Sequence, residues 1–228
     1  MNFIPYMDHK TVLVTGFLPF KSGENGISIN PSLEAVKLMD TSRLKDRLNI
    51  TVIREAVPVE YEYIDANMHR MWGQYKPDLT IHVGVSNRVE EFTLEKQANR
   101  TTYIFPDNCD CVPYRHENRS YGPDCLATDL QVDRICETFN KGLNKLSLQA
   151  ISSNEGGKFV CEYIYYTSLC EQLNRSKTSL LIHVPMMEAE KEFRELAEGL
   201  ERLVEICVEQ IRPKSQTPEM STYYEYIL

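Results

Sequence analysis

The chain has 228 residues, 42% of them hydrophobic, with a formal net charge of -8 and a pI near 5.2. That length can bury a substantial core and sits at the upper end of one domain, so a single domain over residues 1–228 is the expectation. The acidic balance disfavours a nucleic-acid or membrane-surface partner, because both present negative charge that a basic excess must meet.

The opening stretch MNFIPYMDHK includes Asp8, His9 and Lys10 and lacks the apolar core of a secretion signal. No run reaches the roughly 18 apolar residues of a membrane helix, so a cytoplasmic protein is expected. TVLVTG, from Thr11 to Gly16, is the first of five branched, near-continuous apolar runs that read as strands covered on both faces. GFLPF follows it, setting Phe17 and Phe20 on a Gly/Pro turn at the sheet edge, as core or as a ligand clamp. NPSLEAVKLMD has Pro31 suited to a first helical turn. A second strand starts at Ile50, VEYEYIDANMHRMWGQY has helical spacing, and LTIHVGV from Leu79 is the third strand. His82 precedes the end of that strand and reads as a core histidine. FTLEKQANR then supplies Glu95, although a lone Glu-Lys pair is usually a solvated face; Glu91 also reads as solvent-facing.

Residues from about Asn99 to Pro123 are rich in Pro, Gly, Asn and Tyr without a period. They predict a long loop, with room for a hairpin, of the kind that walls or covers a site. Cys109 and Cys111 stand there with His116 and Cys125 nearby, but structural zinc sites favour wider Cys-x2-4-Cys spacing, so reduced thiols are expected. TDLQVDRICETFNKGLNKL is helical, LSLQAISS from Leu146 is a strand, and SLLIHVP from Ser179 is another. A long charged amphipathic helix runs to Pro213, and a polar, tyrosine-rich tail follows it. Strands alternating with helices predict a three-layer α/β/α sandwich with a mainly parallel twisted sheet.

In such a sheet, functional groups collect where strands end and helices begin, because backbone N–H groups and the helix dipole converge there. Cys161 follows the turn at Gly156 and Gly157 and opens an apolar helix, a setting that favours thiolate over thiol. It is a candidate nucleophile; the alternative is a buried cysteine packing like alanine. A thiolate wants a base, and His183 stands at a strand end 22 residues later, about one helix and one strand away. Glu95 is the candidate carboxylate to orient that imidazole.

Taken together, VTGFLPF, NPS, PVEY, HVGVS, TLEK, GGKFVCEYIYYTSL and HVP, in that order, resemble the pyroglutamyl-peptidase I family of cysteine peptidases over roughly Val12 to Arg212. YYTSL and TLEK are closer to its animal members. The resemblance implies a phosphorylase/hydrolase-like α/β/α fold and a catalytic triad of Glu95, Cys161 and His183. It also implies a lactam pocket with Phe17 and Phe20, and no metal or organic cofactor. The implied substrates are peptides with an N-terminal pyroglutamate, cleaved through a thioester, and the implied assembly is a monomer or a homo-oligomer. Val85 stands where bacterial members carry a lactam-binding glutamine, so recognition there falls to backbone groups. Leu18, Asn87, Gly156 and Lys158 also depart from the common pattern; Leu18 and Asn87 raise the alternative of a blocked pocket and a binding protein. A thiol amidase for another small acyl group is the other rival. Arg100 lies near a bacterial arginine that aids the oxyanion, without matching it.

Overall fold

The computed structural model describes residues 8–21, 27–142, 147–175 and 178–212; the tail after Pro213 and the expected strand start at Leu146 lie outside them. In chain order the elements are β1 (Lys10–Phe17), α1 (Pro31–Leu38), α2 (Thr41–Leu48), β2 (Ile50–Val57), α3 (Tyr61–Tyr75), β3 (Leu79–Ser86), β4 (Phe92–Glu95) and β5 (Gln97–Asn99). There follow β6 (Cys125–Ala127), α4 (Val132–Lys141), β7 (Ala150–Ser153), α5 (Val160–Arg175), β8 (Thr178–Pro185) and α6 (Glu190–Ile211). Six strands form one sheet in the order β2-β1-β3-β8-β4-β7. The first four are parallel; β4 runs antiparallel to β8 and parallel to β7.

The alternation of side chains along each strand builds the three layers. Val12, Val14, Leu180, Ile182 and Val184 pack with α1, α4 and α6 on one face. Leu13 and Phe17 pack with α3 and α5 on the other, and Leu181 joins them against α5. Both faces are therefore covered, which is why β1 and β8 read as continuous apolar runs. No helix among the described residues is long and apolar enough to cross a membrane.

Four elements were absent from the expected pattern. Helix α2 has only Leu44 and Leu48 buried, too little for a short helix to stand alone. It is held from outside, by Asp40 accepting from Arg43 N at 2.9 Å and by ion pairs from Arg43 and Arg47 to Glu201 and Glu205 of α6 at 2.6 and 2.7 Å. Strand β4 is four residues long, and β5 with β6 forms a separate two-stranded ribbon. That ribbon closes the loop over residues 100–124 as a hairpin. The loop is pinned to the helical layer: Asp107 accepts from Tyr61 N at 2.9 Å, and the Asn118 amide donates to Tyr163 O and Thr167 Oγ1 of α5. Glu91 corrects its expectation too, since its carboxylate accepts from Gln149 N at the entry to β7.

Candidate active site

Helix α5 delivers Cys161 to the face of β3 and β8. In the parallel register Gly84 stands opposite His183, and Cys161 lies directly above that glycine. A Cβ at position 84 would sit 2.7 Å from Cys161 Sγ and 3.2 Å from both Cys161 Cβ and His183 Cδ2. The sulfur thus occupies the space that any side chain at 84 would need.

The antiparallel step then brings in the carboxylate. Thr93 pairs with His183 and Glu95 with Leu181, so Glu95 and His183 are diagonal neighbours on the face toward α5. His183 Nδ1 lies 2.9 Å from Glu95 Oε1, and Glu95 is only 1% exposed. The Tyr165 hydroxyl of α5 donates to the Glu95 backbone oxygen at 2.9 Å, fixing the strand that carries the carboxylate. Glu95 Oε2 has no hydrogen-bond partner among the described residues. A carboxylate facing Nδ1 holds the ring proton there and leaves Nε2 for the thiol.

Burial alone disfavours the charged imidazole of His183 and is the largest single influence on it. Hydrogen bonds to Cys161 and Glu95, with the negative charge of both, together outweigh that burial and raise its pKa to about 9. His82 is the opposite case. It lies fully buried between Thr15 Oγ1 and Ser168 Oγ, both at 2.8 Å, and burial lowers its pKa to about 3. It is a neutral core histidine that ties α5 to β1 and β3, in line with its place inside the third apolar run.

Aromatic side chains line the helical side. Phe17 is 1% exposed in the cluster that holds Tyr61 and Tyr163; Phe20, Phe159 and Cys161 pack partly buried against the same cluster. Tyr61 meets Phe159 edge-on at 6.3 Å, and Phe105 of the long loop meets Phe159 at 6.5 Å. Burial, then the charges of Asp107 and Cys161, hold the Tyr61 hydroxyl well above its ordinary pKa. Val85 packs its side chain with the α1/α6 cluster, across the sheet from Cys161. Leu18 is 36% exposed, and Asn87 is exposed on the turn after β3. Arg100 is bound by Glu117 at 2.8 Å and Asp124 at 3.4 Å. Among the described residues no group of three or more His, Cys, Asp and Glu could hold a metal ion, and Cys109, Cys111 and Cys125 are exposed free thiols.

Residues 10–209 match the sequence profile of the pyroglutamyl peptidase family. The chain belongs to that family. It is 30% identical to the human pyroglutamyl-peptidase 1 over 196 residues, covering 86% of this chain and 88% of the relative. It is 34% identical to the pyrrolidone-carboxylate peptidase of Vibrio campbellii over 180 residues, 78% of this chain and 79% of that one. The pyroglutamyl peptidase I structure from Bacillus amyloliquefaciens superimposes with a TM-score of 0.73 at 24% identity, over 89% of this chain and 98% of that one. The pyrrolidone carboxyl peptidase of Thermococcus litoralis gives 0.74 at 22% identity, over 89% and 94%. These two likenesses concern the fold, a mixed α/β sheet flanked by helices that the family shares.

Several contributors to this pyroglutamyl peptidase site escaped the sequence reading: Gly84, Tyr61, Phe159 and Tyr165. Gly84 left a signal, because a glycine inside a strand often marks a close approach. Tyr61 and Tyr165 stand inside the PVEY and YYTSL motifs, but no role followed from that, since an aromatic residue on a helix face by itself reads as core.

Proposed function

We propose that this member of the pyroglutamyl peptidase family is a cysteine omega-peptidase that removes an N-terminal 5-oxoproline from peptides through a thioester. The observation that carries the reading is the buried Glu95–His183 pair beneath Cys161 at the start of α5. Cys161 Sγ attacks the carbonyl carbon of the 5-oxoprolyl residue, the C–N bond to the next residue breaks, and the His183 proton passes to the leaving amine. Water, deprotonated by His183, then cleaves the thioester and returns the thiol. Glu95 orients the imidazole and stabilises its charged form.

The α5 N-terminus supplies backbone N–H groups for the oxyanion, each worth about 3 kcal/mol in comparable sites. The lactam carries no charge, so shape and a few hydrogen bonds must select it. Phe20 forms the pocket wall with Phe17 packed behind it, and Val85 acts through its backbone. No metal or organic cofactor takes part. We read the chain as one domain acting in the cytoplasm, where its thiols stay reduced. Its YYTSL and TLEK segments favour an animal-like member.

Turnover of a fluorogenic 5-oxoprolyl amide tests the reading. The wild type should cleave it, Cys161→Ala should not, and iodoacetamide should inactivate the wild type with alkylation at Cys161. Alkylation should come ahead of buried Cys207, whose thiol burial pushes up to about 12. Cleavage of other acyl amides only, or binding without turnover, would replace the substrate or the catalytic assignment.

A further inference from the structure

Glu162, the residue after the proposed nucleophile, is a carboxylate with 1% exposure in the first turn of α5. Its Oε1 accepts from Asn99 N at 2.8 Å and from Asn99 Nδ2 at 2.9 Å; its Oε2 accepts from Lys158 N at 2.6 Å. One side chain therefore joins the end of β5, the turn before α5 and the helix start. That turn needs holding, since Gly157 has φ +94° and Lys158 has φ +56°, a left-handed pair at which a lysine carries a steric cost. Gly156 makes the room: a Cβ there would meet Glu162 Cγ at 2.7 Å, Cδ at 2.8 Å and Cβ at 3.0 Å. The glycine at position 156 thereby has a physical reason in the side chain at 162.

We propose that Glu162 is a positioning residue for Cys161, acting through its three N–H contacts on the 156–158 turn and the end of β5, with Gly156 as its structural partner. The inference rests on Cys161 being the nucleophile of the proposed peptidase. A gap of a few tenths of an ångström at the start of α5 moves the sulfur relative to His183 and Gly84, and misplacement of a reacting group lowers the rate of the chemical step more than substrate binding. A carboxylate satisfies all three donors. In Glu162→Gln one of the two acceptor positions becomes an NH2 group that meets an N–H head-on, so the clamp loses one side.

The experiment compares the full chain with Glu162→Gln, Glu162→Ala, Gly156→Ala and the double variant. It reads kcat and KM on the 5-oxoprolyl amide, the pH profile of iodoacetamide inactivation, and thermal melting. Glu162→Gln should remain folded, lower kcat about 10- to 100-fold and change KM less than about threefold. Its inactivation profile should move to higher pH, because a looser Cys161–His183 contact leaves less thiolate at a given pH. Gly156→Ala should lower kcat in the wild-type background and have a clearly smaller effect when residue 162 is alanine, since the contacts at 2.7 and 2.8 Å are then gone and only the 3.0 Å approach to the Cβ at 162 remains. Unchanged kcat in Glu162→Gln, an inactivation profile moved to lower pH as removal of a nearby charge alone predicts, or equal Gly156→Ala effects in both backgrounds would each overturn the proposal. If the wild type itself fails to cleave the amide, the functional reading falls, while the inactivation profiles still decide the role of Glu162.

Discussion

Glu95 raises the proton affinity of His183 through one 2.9 Å contact, and that dependence can be read in a pH profile. The proposed mechanism needs imidazolium to protonate the leaving amine, so activity should fall at alkaline pH as His183 loses its proton near pH 9. Glu95→Gln keeps the size and one acceptor oxygen but removes the negative charge, so the folded-state pKa falls and the alkaline limb moves to lower pH. The expected loss in kcat/KM is on the order of 10- to 1,000-fold, below that of a serine triad because a thiol ionises more readily. Glu90→Gln, exposed on the turn before β4, is the control and should be nearly silent. Glu91 cannot serve, because it holds Gln149. A full-rate Glu95→Gln enzyme with an unmoved alkaline limb would remove Glu95 from the reaction.

The contact of α5 with β3 makes Gly84→Ala the sharpest test of packing. The added methyl needs the volume of Cys161 Sγ, and a cysteine side chain yields by rotating about χ1, away from His183. Melting should change little while kcat/KM drops at least about 100-fold, the scale of losing the base from a thiol nucleophile; a variant that keeps its rate would show that Cys161 and His183 need not meet over Gly84. The long strands and α3, α5 and α6 announce themselves by continuous or periodic burial. Cys161 and His183 fall at the element ends where the helix dipole and strand edge meet, so their roles could be argued from placement. Strand β4 could not, because Phe92–Glu95 is too short for a period and becomes a strand only by pairing with β8 and β7. The location of Glu95 beside His183 is thus a tertiary fact, as is α2, which depends on Glu201 and Glu205 in the last helix of the described chain.

The two buried histidines set opposing pH limits on the folded state. His82, depressed to about 3 in the fold against 6.5 unfolded, contributes stability in full above pH 6.5 and loses it progressively as pH falls toward 3. His183, raised to about 9, contributes below pH 6.5 and loses that as pH rises through 9. Since a tenfold change in proton affinity is worth about 1.4 kcal/mol, each window spans a few kcal/mol, and thermal stability should peak near neutrality. His82→Gln should flatten the decline between pH 6.5 and about 5, above the range where most carboxylates titrate; an unchanged slope there would mean that His82 titrates normally. The position of β8 has a consequence for how the molecule is made. It is the last strand in the chain among the described residues, yet it lies between β3 and β4 in the sheet. A growing chain, emerging from its N-terminal end, can assemble β2, β1 and β3 early, but their open edge has no neighbour until Thr178–Pro185 leaves the ribosome. The strand that closes this seam also brings His183, so the nascent protein carries an exposed, aggregation-prone edge from the release of β3 until that of β8, and the proposed base reaches Cys161 only when that last strand slots into place.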